Sequence, residues 1–244
     1  MFNKRPSTST HFSSVASGSD VGLLREHNED AVRVNHSTGL LVVADGMGGR
    51  AAGEVASRIV ADVLESAVVG RDEDLIAALL AANDAVLAAS RDGRGVPGMG
   101  STCVACRPTQ AGLEVAWVGD SRAYRLRDGE LQRLSHDHSY VQTLVDAGLI
   151  TAEDAECHPE RNVLSICVGN GGLAEADVGH AVHSLACGDR ILLCSDGLTG
   201  ELSDDTIAAL VQVNGDDETA VAELIEAARQ AGGRDNISVI VATA

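Results

Sequence analysis

Short apolar runs that stop abruptly at acidic residues and glycines form the clearest pattern in this chain. The strongest run covers residues 40–44 and is followed at once by Asp45, Gly46, Met47, Gly48 and Gly49. An uninterrupted apolar run of this kind is typical of a strand that is covered on both faces. The glycines after it let the backbone turn sharply and approach a ligand closely. Asp45 could therefore serve a metal ion at the strand end, but an Asp that caps a tight strand-to-helix turn fits this stretch equally well.

Apolar residues at helical spacing predict the longer helices. These cover residues 52–69, 72–90, 204–211 and 217–230, and Asp72 is the expected N-cap of the second. The other apolar runs predict strands at 12–17, 31–34, 99–106, 113–118, 122–127, 130–134, 190–194 and 237–241. Only short turns separate the strands between 99 and 134, so we expect them to form one antiparallel meander. The last strand is expected at a central position in its sheet.

A polar segment, residues 136–162, interrupts the strand series and carries short helical patterns at 140–147 and 151–156. An insertion of this kind often forms a mobile flap over a functional site. It opens with His136, Asp137 and His138, which could bind a metal ion. A solvated polar loop is the favoured interpretation of these residues, because no third ligand is in view.

Composition favours a single domain over residues 11–244. The chain has 244 residues, of which 45% are hydrophobic and only 2% aromatic, so the core must consist mainly of Ala, Val, Leu and Ile. Residues 1–10 are polar and lack the apolar region of a signal peptide, and we expect them to form a disordered tail. The apolar runs are far too short for a membrane span, which favours a cytoplasmic protein.

The net charge of the chain limits the kinds of partner that we expect. The net charge is −18, from 18 basic and 36 acidic residues. A chain this acidic repels phosphate backbones and anionic lipids, so neither nucleic acid nor a membrane is an expected partner.

Most of the six cysteines lie in apolar runs, which is typical of reduced, buried thiols. Cys103 and Cys106 match a C-x-x-C pattern, but positions three apart on a strand face opposite sides, which argues against a zinc or redox pair.

Carboxylates recur at the ends of the predicted strands. The set comprises Glu29, Asp30, Asp45, Asp120, Asp196 and Asp235. A hairpin of strands 31–34 and 40–44 would bring the first three close together. Converging carboxylates repel one another unless cations neutralise them, and all-oxygen ligands suit Mg²⁺ or Mn²⁺ better than zinc. Two such ions about 3.5–4 Å apart could generate a hydroxide for in-line attack on phosphorus. Arg25, just upstream, could form a salt bridge with the acids or bind a phosphate.

Seven short motifs occur in a fixed order along the chain. They are Arg25-x-x-Asn28-Glu29-Asp30, Asp45-Gly46-Met47-Gly48-Gly49, Gly100-Ser101-Thr102, Gly119-Asp120-Ser121-Arg122, His158-Pro159-x-Arg161-Asn162, Ser195-Asp196-Gly197-Leu198 and Asp235-Asn236-Ile237. In this order they resemble bacterial metal-dependent serine/threonine protein phosphatases of the PPM, or type 2C, family. The resemblance covers about residues 13–242. One motif would be weak, but seven in register make a chance match very improbable.

The resemblance implies an α+β fold, a four-layer α-β-β-α sandwich in which two antiparallel sheets are flanked by helix pairs. It also implies two Mn²⁺ or Mg²⁺ ions in the active site, bridged by Asp45. The Gly46 carbonyl would bind the second ion, whereas Asp196 and Asp235 would bind the first.

Further roles are implied for the residues around these ions. Glu29 would act through a metal-bound water, and Asp30 and Asn236 would support the ligands from behind. Asp120, together with Asp196, would bind a third and weaker ion. Arg25 would hold the substrate phosphate, so that it would share the catalytic role with Asp45, Asp196 and Asp235.

The implied activity is hydrolysis of phosphoserine and phosphothreonine in proteins by a hydroxide that bridges the two ions, without a phospho-enzyme. Implied partners are phosphoprotein substrates, a cognate Ser/Thr kinase whose action is reversed, and type VI secretion components. Residues 136–162 would correspond to the family's variable flap. The alternatives are a pseudophosphatase that binds phosphoproteins, a hydrolase of small phosphoesters, and a purely structural acidic domain. Retention of Asp45, Asp196 and Asp235 argues against the pseudophosphatase.

The chain departs from the family pattern at three places. Met47 stands where eukaryotic members carry a His suggested as general acid, which leaves the proton donor open. Arg50 stands where bacterial members commonly have His, and no role follows for it from the sequence. Residues 164–169 replace the more usual L-T-R-A-L-G, so the base of the flap lacks the family's Arg.

Overall fold

Two antiparallel sheets form the centre of the protein in the computed structural model, which describes residues 9–48, 52–71, 73–213 and 215–244. The strands are β1 (Ser14–Asp20), β2 (Asp30–Asn35), β3 (Leu40–Met47), β4 (Gly100–Ser101), β5 (Cys103–Thr109), β6 (Gly112–Val118), β7 (Arg122–Arg127), β8 (Glu130–Arg133), β9 (Gly179–His183), β10 (Arg190–Cys194) and β11 (Ile237–Thr243). One sheet has the order β2-β3-β5-β6-β9, with β4 paired to β3, and the other has the order β1-β11-β10-β7-β8. The predicted final strand therefore lies between two others.

Helices lie on the outer faces of both sheets and in the segments that connect the strands. They are α1 (Ala52–Arg71), α2 (Leu75–Asp92), α3 (Tyr140–Asp146), α4 (Ala152–Glu156), α5 (Asp196–Thr199), α6 (Asp204–Val213) and α7 (Asp217–Ala231). Apolar residues of α1 and α2 pack against β3, β5 and β6, whereas those of α6 and α7 pack against β7, β10 and β11. A third apolar cluster fills the space between the sheets. These three interfaces produce the predicted four-layer α-β-β-α sandwich, and the fold class is confirmed.

The alternation of buried residues along β5 explains the C-x-x-C pattern. Cys103 faces the helical layer on α1 and α2, whereas Cys106 faces the other sheet. Both thiols are buried, and burial raises their pKa far above the usual value. The two side chains point away from each other, as their spacing predicts, so they form no common metal or redox site.

The predicted meander between residues 99 and 134 is wrong. β5 pairs with β6 and β7 pairs with β8, but β6 and β7 belong to different sheets. The turn at residues 119–121 is a crossover from one sheet to the other. Gly119 has φ +101°, and a Cβ there would lie 2.7 Å from Cβ of Thr102. A turn signal in the sequence marks the end of a strand, but it does not say where the next strand pairs.

Several boundaries also differ from the sequence-based expectation. The predicted strand 99–106 divides at Thr102 into β4 and β5. α2 begins at Leu75 and its N-cap is Asp74, whose carboxylate accepts from the Ala77 amide; the predicted cap, Asp72, lies outside the described residues. The short α5 was not predicted, because its four residues are too few to show a helical period.

The ends of the predicted domain are only partly described. Residues 1–8 of the predicted tail lie outside the described residues, as do Gly49 and Arg50. Ser9 is buried, and its amide donates to the Leu185 carbonyl oxygen at 3.0 Å. Within the described ranges, none of the helices combines the length and the apolar character that crossing a membrane requires.

Candidate active site

The β2–β3 hairpin brings the first group of carboxylates together. Asp30, the first residue of β2, lies directly opposite Asp45 near the end of β3. Their pairing follows from the turn at 36–39, which sets the register of the two strands. Glu29 precedes Asp30, and its carbonyl oxygen accepts from the Gly46 amide at 3.2 Å and from the Ser57 hydroxyl at 2.6 Å. The hairpin and the first turns of α1 therefore meet at Glu29.

Two glycines let α1 approach β3 at this point. A Cβ on Gly46 would lie 2.1 Å from the carbonyl oxygen of Gly53, and a Cβ on Gly53 would lie 2.6 Å from the carbonyl carbon of Gly46. Such distances are far inside van der Waals contact, so neither position has room for a side chain. A Cβ on Gly53 would also lie 2.9 Å from the carboxyl carbon of Glu29. The backbone around Gly46 is thus held against the helix, beside the carboxylates.

The second sheet supplies two further carboxylates. β10 ends at Cys194, and Asp196 follows as the first residue of α5. Asp235 lies two residues before β11, which pairs antiparallel with β10, so the two acids lie at the same end of the sheet. Gly197 permits this closeness, because a Cβ there would lie 2.0 Å from the Asn236 carbonyl oxygen. The acids predicted at strand ends are therefore brought together from both sheets.

Asn236 ties the loop before β2 to the turn before β11. Its side-chain oxygen accepts from the Glu29 amide at 2.8 Å, and its side-chain nitrogen donates to the Val21 and His27 carbonyl oxygens at 3.0 Å each. Asn236 also contacts Asp235, whose carboxylate accepts from the Asn236 amide at 2.8 Å. The buried side chain of Asn236 therefore holds Glu29 in place, and its backbone amide holds the Asp235 carboxylate.

Burial and mutual repulsion raise the pKa values of the Asp30, Asp45, Asp120 and Asp196 carboxyl groups. Burial is the largest cause for Asp45, and repulsion from Asp30, Asp196 and Asp120 adds to it. Burial likewise raises the pKa of Asp120, again with repulsion from Asp196, and the pKa of Asp196, with repulsion from Asp235. Burial raises the pKa of Asp30 to about 7, although the Ser238 and Ser195 hydrogen bonds oppose the rise. The cluster is electrostatically costly in the absence of positive charge.

The donor set fits hard divalent cations. The buried atoms Oδ1 of Asp196 and Oδ1 of Asp30 have no hydrogen-bond partner within the described ranges. A buried oxygen without a partner is costly, and a bound cation would satisfy that of Asp196. Across the described part of the chain, no group of three or more His, Cys, Asp or Glu side chains is arranged to hold one metal ion. Mg²⁺ needs fewer protein side chains than that, because it keeps several waters and uses only one or two carboxylates.

Arg25 stands at the rim of the cluster. Its Nη2 donates to Oδ2 of Asp235 at 2.6 Å, and its side chain is 51% exposed. The hydrogen bond to Asp235 raises the pKa of Arg25, and the charges of Asp235, Asp45 and Asp196 add to the rise. The sequence predicted either a salt bridge with the acids or a phosphate-binding role for Arg25, and its position is compatible with both. It forms a salt bridge with Asp235, and its guanidinium is accessible to an anion that approaches the carboxylates.

The other sequence candidate, residues 136–138, lies beside the turn that carries Asp120, because the His138 amide donates to the Gly119 carbonyl oxygen at 2.9 Å. His136 contacts Asp146 at 2.8 Å, and Asp137 accepts a hydrogen bond from Arg122 and forms an ion pair with Arg133. The His138 ring packs near the Trp117 ring, at 6.4 Å between centroids. The three side chains have separate partners, which agrees with the favoured interpretation of this segment as a polar loop. Met47 pairs with Gly100 in the strand, and the structure does not describe Arg50.

Sequence reasoning missed three residues that shape the site. Gly53 allows the close approach of α1, and Thr102 and Ser121 form a buried hydroxyl pair between the motifs that contain them. The two hydroxyl residues were visible as parts of motifs, but their mutual contact joins positions far apart in the chain. Gly53 had only one possible signal, a glycine in the first turn of a predicted helix.

Comparison with known proteins identifies the family. Residues 25–235 match the family described as protein phosphatase 2C. The serine/threonine protein phosphatase PstP of Mycobacterium tuberculosis is 43% identical over 93% of this chain. The chain spans only 44% of the length of that relative.

Two solved structures resemble the fold over nearly its whole extent. The catalytic domain of PstP in complex with two manganese ions has a TM-score of 0.82 and 40% identity, covering 94% of this chain and 97% of that one. PppA of Pseudomonas aeruginosa, described as a key regulatory component of the type VI secretion system, has a TM-score of 0.82 and 35% identity, covering 97% and 98%. The motif order, the four-layer fold and the family match agree, and the chain belongs to the protein phosphatase 2C family.

Proposed function

We propose that this chain hydrolyses phosphoserine and phosphothreonine in proteins with the help of Mn²⁺ or Mg²⁺. One observation carries the proposal: carboxylates from both sheets converge beside Arg25, burial and repulsion raise the pKa values of Asp45 and Asp196, and a buried oxygen of Asp196 has no partner among the described residues. Family membership and the manganese ions bound to PstP support the same activity.

The proposed ligands divide between the two sheets. Asp45 and the Gly46 carbonyl would hold the ions from β3, and Asp196 and Asp235 would hold them from the second sheet. Glu29 would contribute through a water molecule, and Asp120 with Asp196 would bind a third, weaker ion. When bound, such ions polarise the phosphoryl oxygens and lower the pKa of a water molecule that can attack phosphorus.

The residues around the ligands have distinct tasks. Asp30 accepts a hydrogen bond from the Ser195 hydroxyl at 2.8 Å, and this hydroxyl oxygen accepts from the Ser238 amide at 3.0 Å. This chain of bonds orients Asp30 behind Asp45, where it supports the ligand without being one. Asn236 supports Glu29 and Asp235 in the same way. Orientation of ligands by such outer contacts typically matters for metal affinity.

Arg25 is proposed to bind the substrate phosphate. Its forked guanidinium matches the geometry of phosphate oxygens, and half of the side chain is exposed toward an approaching substrate. The negative charge that develops on the phosphoryl oxygens in the transition state would be stabilised by the same group. The Arg25–Asp235 contact keeps the guanidinium beside the ligands before the substrate arrives.

The proposed substrates are phosphoproteins, and the proposed counterpart is a serine/threonine kinase whose products this chain dephosphorylates. PppA is described as a key regulatory component of the type VI secretion system, and components of such a system are one candidate group of partners for this chain. The net charge of −18 disfavours polyanionic partners such as nucleic acid.

The first experiment measures phosphate release from a phosphothreonine peptide, with Mn²⁺ and with a chelator. We expect release by the natural sequence only with Mn²⁺. Asp196→Asn should lower it by at least about 100-fold, because loss of a metal ligand removes much of the charge stabilisation of the transition state. The matched control is Asp62→Asn, which changes a half-exposed carboxylate paired with Arg33 on the surface of α1 and β2.

The outcomes separate the remaining possibilities. Equal release by Asp196→Asn and the natural sequence would refute the metal assignment. Mn²⁺ binding without any release would favour a phosphoprotein-binding module. Preference for a nucleotide over the phosphopeptide would favour a hydrolase of small phosphoesters.

A further inference from the structure

A buried hydroxyl pair joins two of the motifs, and neither hydroxyl has a role in the proposed chemistry. The Thr102 and Ser121 hydroxyl oxygens lie 2.7 Å apart, which is hydrogen-bond distance. Thr102 stands between β4 and β5, and Ser121 lies in the crossover from β6 to β7. The exposed fractions are 3% for Thr102 and 1% for Ser121, so water does not compete for this bond.

Thr102 also holds both backbone polar groups of Asp45. Its hydroxyl oxygen accepts from the Asp45 amide at 3.0 Å, and its own amide donates to the Asp45 carbonyl oxygen at 2.8 Å. The Ser101 hydroxyl donates to the same carbonyl oxygen at 3.0 Å. The backbone of Asp45 is therefore fixed to Thr102 on both sides of its side chain.

The crossover on the other side of the pair carries Asp120. Gly119 packs directly on Thr102, since a Cβ on Gly119 would lie 2.7 Å from Cβ of Thr102. Ser121 follows Asp120 at once and bonds to the Thr102 hydroxyl. Asp120 thus lies between two residues that both contact Thr102, and Thr102 is the direct link between Asp45 and Asp120.

We propose that the Thr102–Ser121 hydroxyl pair sets the separation of the Asp45 and Asp120 carboxylates and thereby the affinity of this site for divalent cations. The inference rests on the proposed function, which makes both carboxylates metal ligands. The two acids come from different parts of the chain and repel each other, so their spacing needs an uncharged restraint. Two buried hydroxyls provide one without neutralising either charge. Thr102 and Ser121 are positioning residues, because they act through the carboxylates.

The test measures Mn²⁺ binding by calorimetry, alongside the Mn²⁺ concentration that gives half-maximal hydrolysis. Thr102→Val keeps the shape of the side chain but removes its hydroxyl, and we expect about tenfold weaker Mn²⁺ binding, in the range typical of lost outer contacts. Thr102→Ser restores the hydroxyl and should restore the affinity. Ser121→Ala should show a similar loss, and the double variant should lose less than the product of the two, because the hydroxyls act as one unit.

Thr243→Val is the matched control. The Thr243 hydroxyl donates to the buried Asp217 at 2.8 Å, at the opposite end of β11 from the carboxylate cluster. This variant loses a hydrogen bond to a buried group by the same substitution, and it should bind Mn²⁺ like the natural sequence. If Thr102→Val does not fold, Ser121→Ala carries the test, because it leaves the bonds between Asp45 and Thr102 intact.

Two results would overturn the inference. Unchanged Mn²⁺ affinity in Ser121→Ala and Thr102→Val, with only the melting temperature lowered, would show a purely structural role. An equal loss in Thr102→Ser and Thr102→Val would show that the hydroxyl is not the cause. Failure of the proposed function has a different signature, since the natural sequence itself would then bind no Mn²⁺.

Discussion

At the scale of single residues, close packing rather than charge decides where the carboxylate site can form. Gly46 and Gly53 face each other at distances that exclude a side chain on either. The contact brings the first turn of α1 against the strand end that carries Asp45. Both residues allow this contact because they have no side chain. Composition and charge therefore do not identify Gly53 as part of the site.

Gly53→Ala is expected to lower the free energy of unfolding by about 1–3 kcal/mol, because the new methyl group would overlap the Gly46 carbonyl and force the helix away. Urea unfolding of the two proteins measures the difference. Gly70→Ala is the control in the same helix: nothing lies within 4 Å of its new methyl group, so it should be neutral or stabilise by up to about 1 kcal/mol. Equal effects of the two substitutions would contradict the packing argument.

At the scale of elements, an ion pair links α5 to the turn before β11. Arg234 donates from its amide and Nε to Oε1 of Glu201, at 2.9 and 2.8 Å, and from Nη2 to Oε2 at 2.9 Å. Glu201 lies two residues after the end of α5 and its side chain is buried, whereas Arg234 is mostly exposed. The pair thus connects the segment after Asp196 to the residue before Asp235.

This ion pair predicts a pH-dependent stability. The hydrogen bond from Arg234 lowers the pKa of Glu201, so the folded protein holds fewer protons on this group than the unfolded chain near the ordinary pKa of about 4.3. The stability that this ion pair contributes is therefore fully present above the ordinary pKa and is lost as the pH falls through the lowered pKa of Glu201. Glu201→Gln should cost about 1 kcal/mol at pH 6, because Arg234 is solvent-screened, and the difference from the natural sequence should shrink below about pH 4.3.

Urea unfolding at several pH values measures this difference. Glu226→Gln is the control, since it changes an exposed carboxylate on α7 at 3.9 Å from Arg229, and its effect should stay small and constant. A cost of Glu201→Gln that persists unchanged at low pH would contradict the assigned role of the ion pair.

At the scale of the whole molecule, negative charge is both abundant and concentrated. The chain carries a net charge of −18, and the carboxylates at the joined ends of the two sheets have raised pKa values. Much of the surface charge is simply solvated, but the cluster is destabilising without cations. Folding and metal binding should therefore be linked.

Saturating Mn²⁺ is expected to raise the melting temperature by several degrees. A ligand at 100 times its dissociation constant stabilises the folded state by about 2.7 kcal/mol, and for a chain of this size each kcal/mol corresponds to about 2–4 °C. A chelator should reverse the shift, and Asp196→Asn should reduce it. Calorimetric or fluorescence melting curves measure the effect, and a shift of equal size in Asp196→Asn would place the cations elsewhere.

The local pattern of the sequence by itself determined the strands and helices of the fold and the acids at their ends. Apolar runs and helical spacing depend only on near neighbours, so 40–44, 190–194 and the helices near 52–69 and 217–230 could be predicted to within a few residues. The ordered motifs extended this to the fold class, because they matched a known family. The hairpin that places Asp30 opposite Asp45 also follows from local register.

Only the tertiary structure decided which strands meet and which side chains hold the site. The crossover at 119–121, the Gly46–Gly53 contact, the bonds of Asn236 and the Thr102–Ser121 pair all join segments that are distant in the chain or change sheets. Their geometry depends on how two sheets and their helices pack at once. A pattern of neighbouring residues contains no information about that packing, and this is the physical reason why the meander prediction failed.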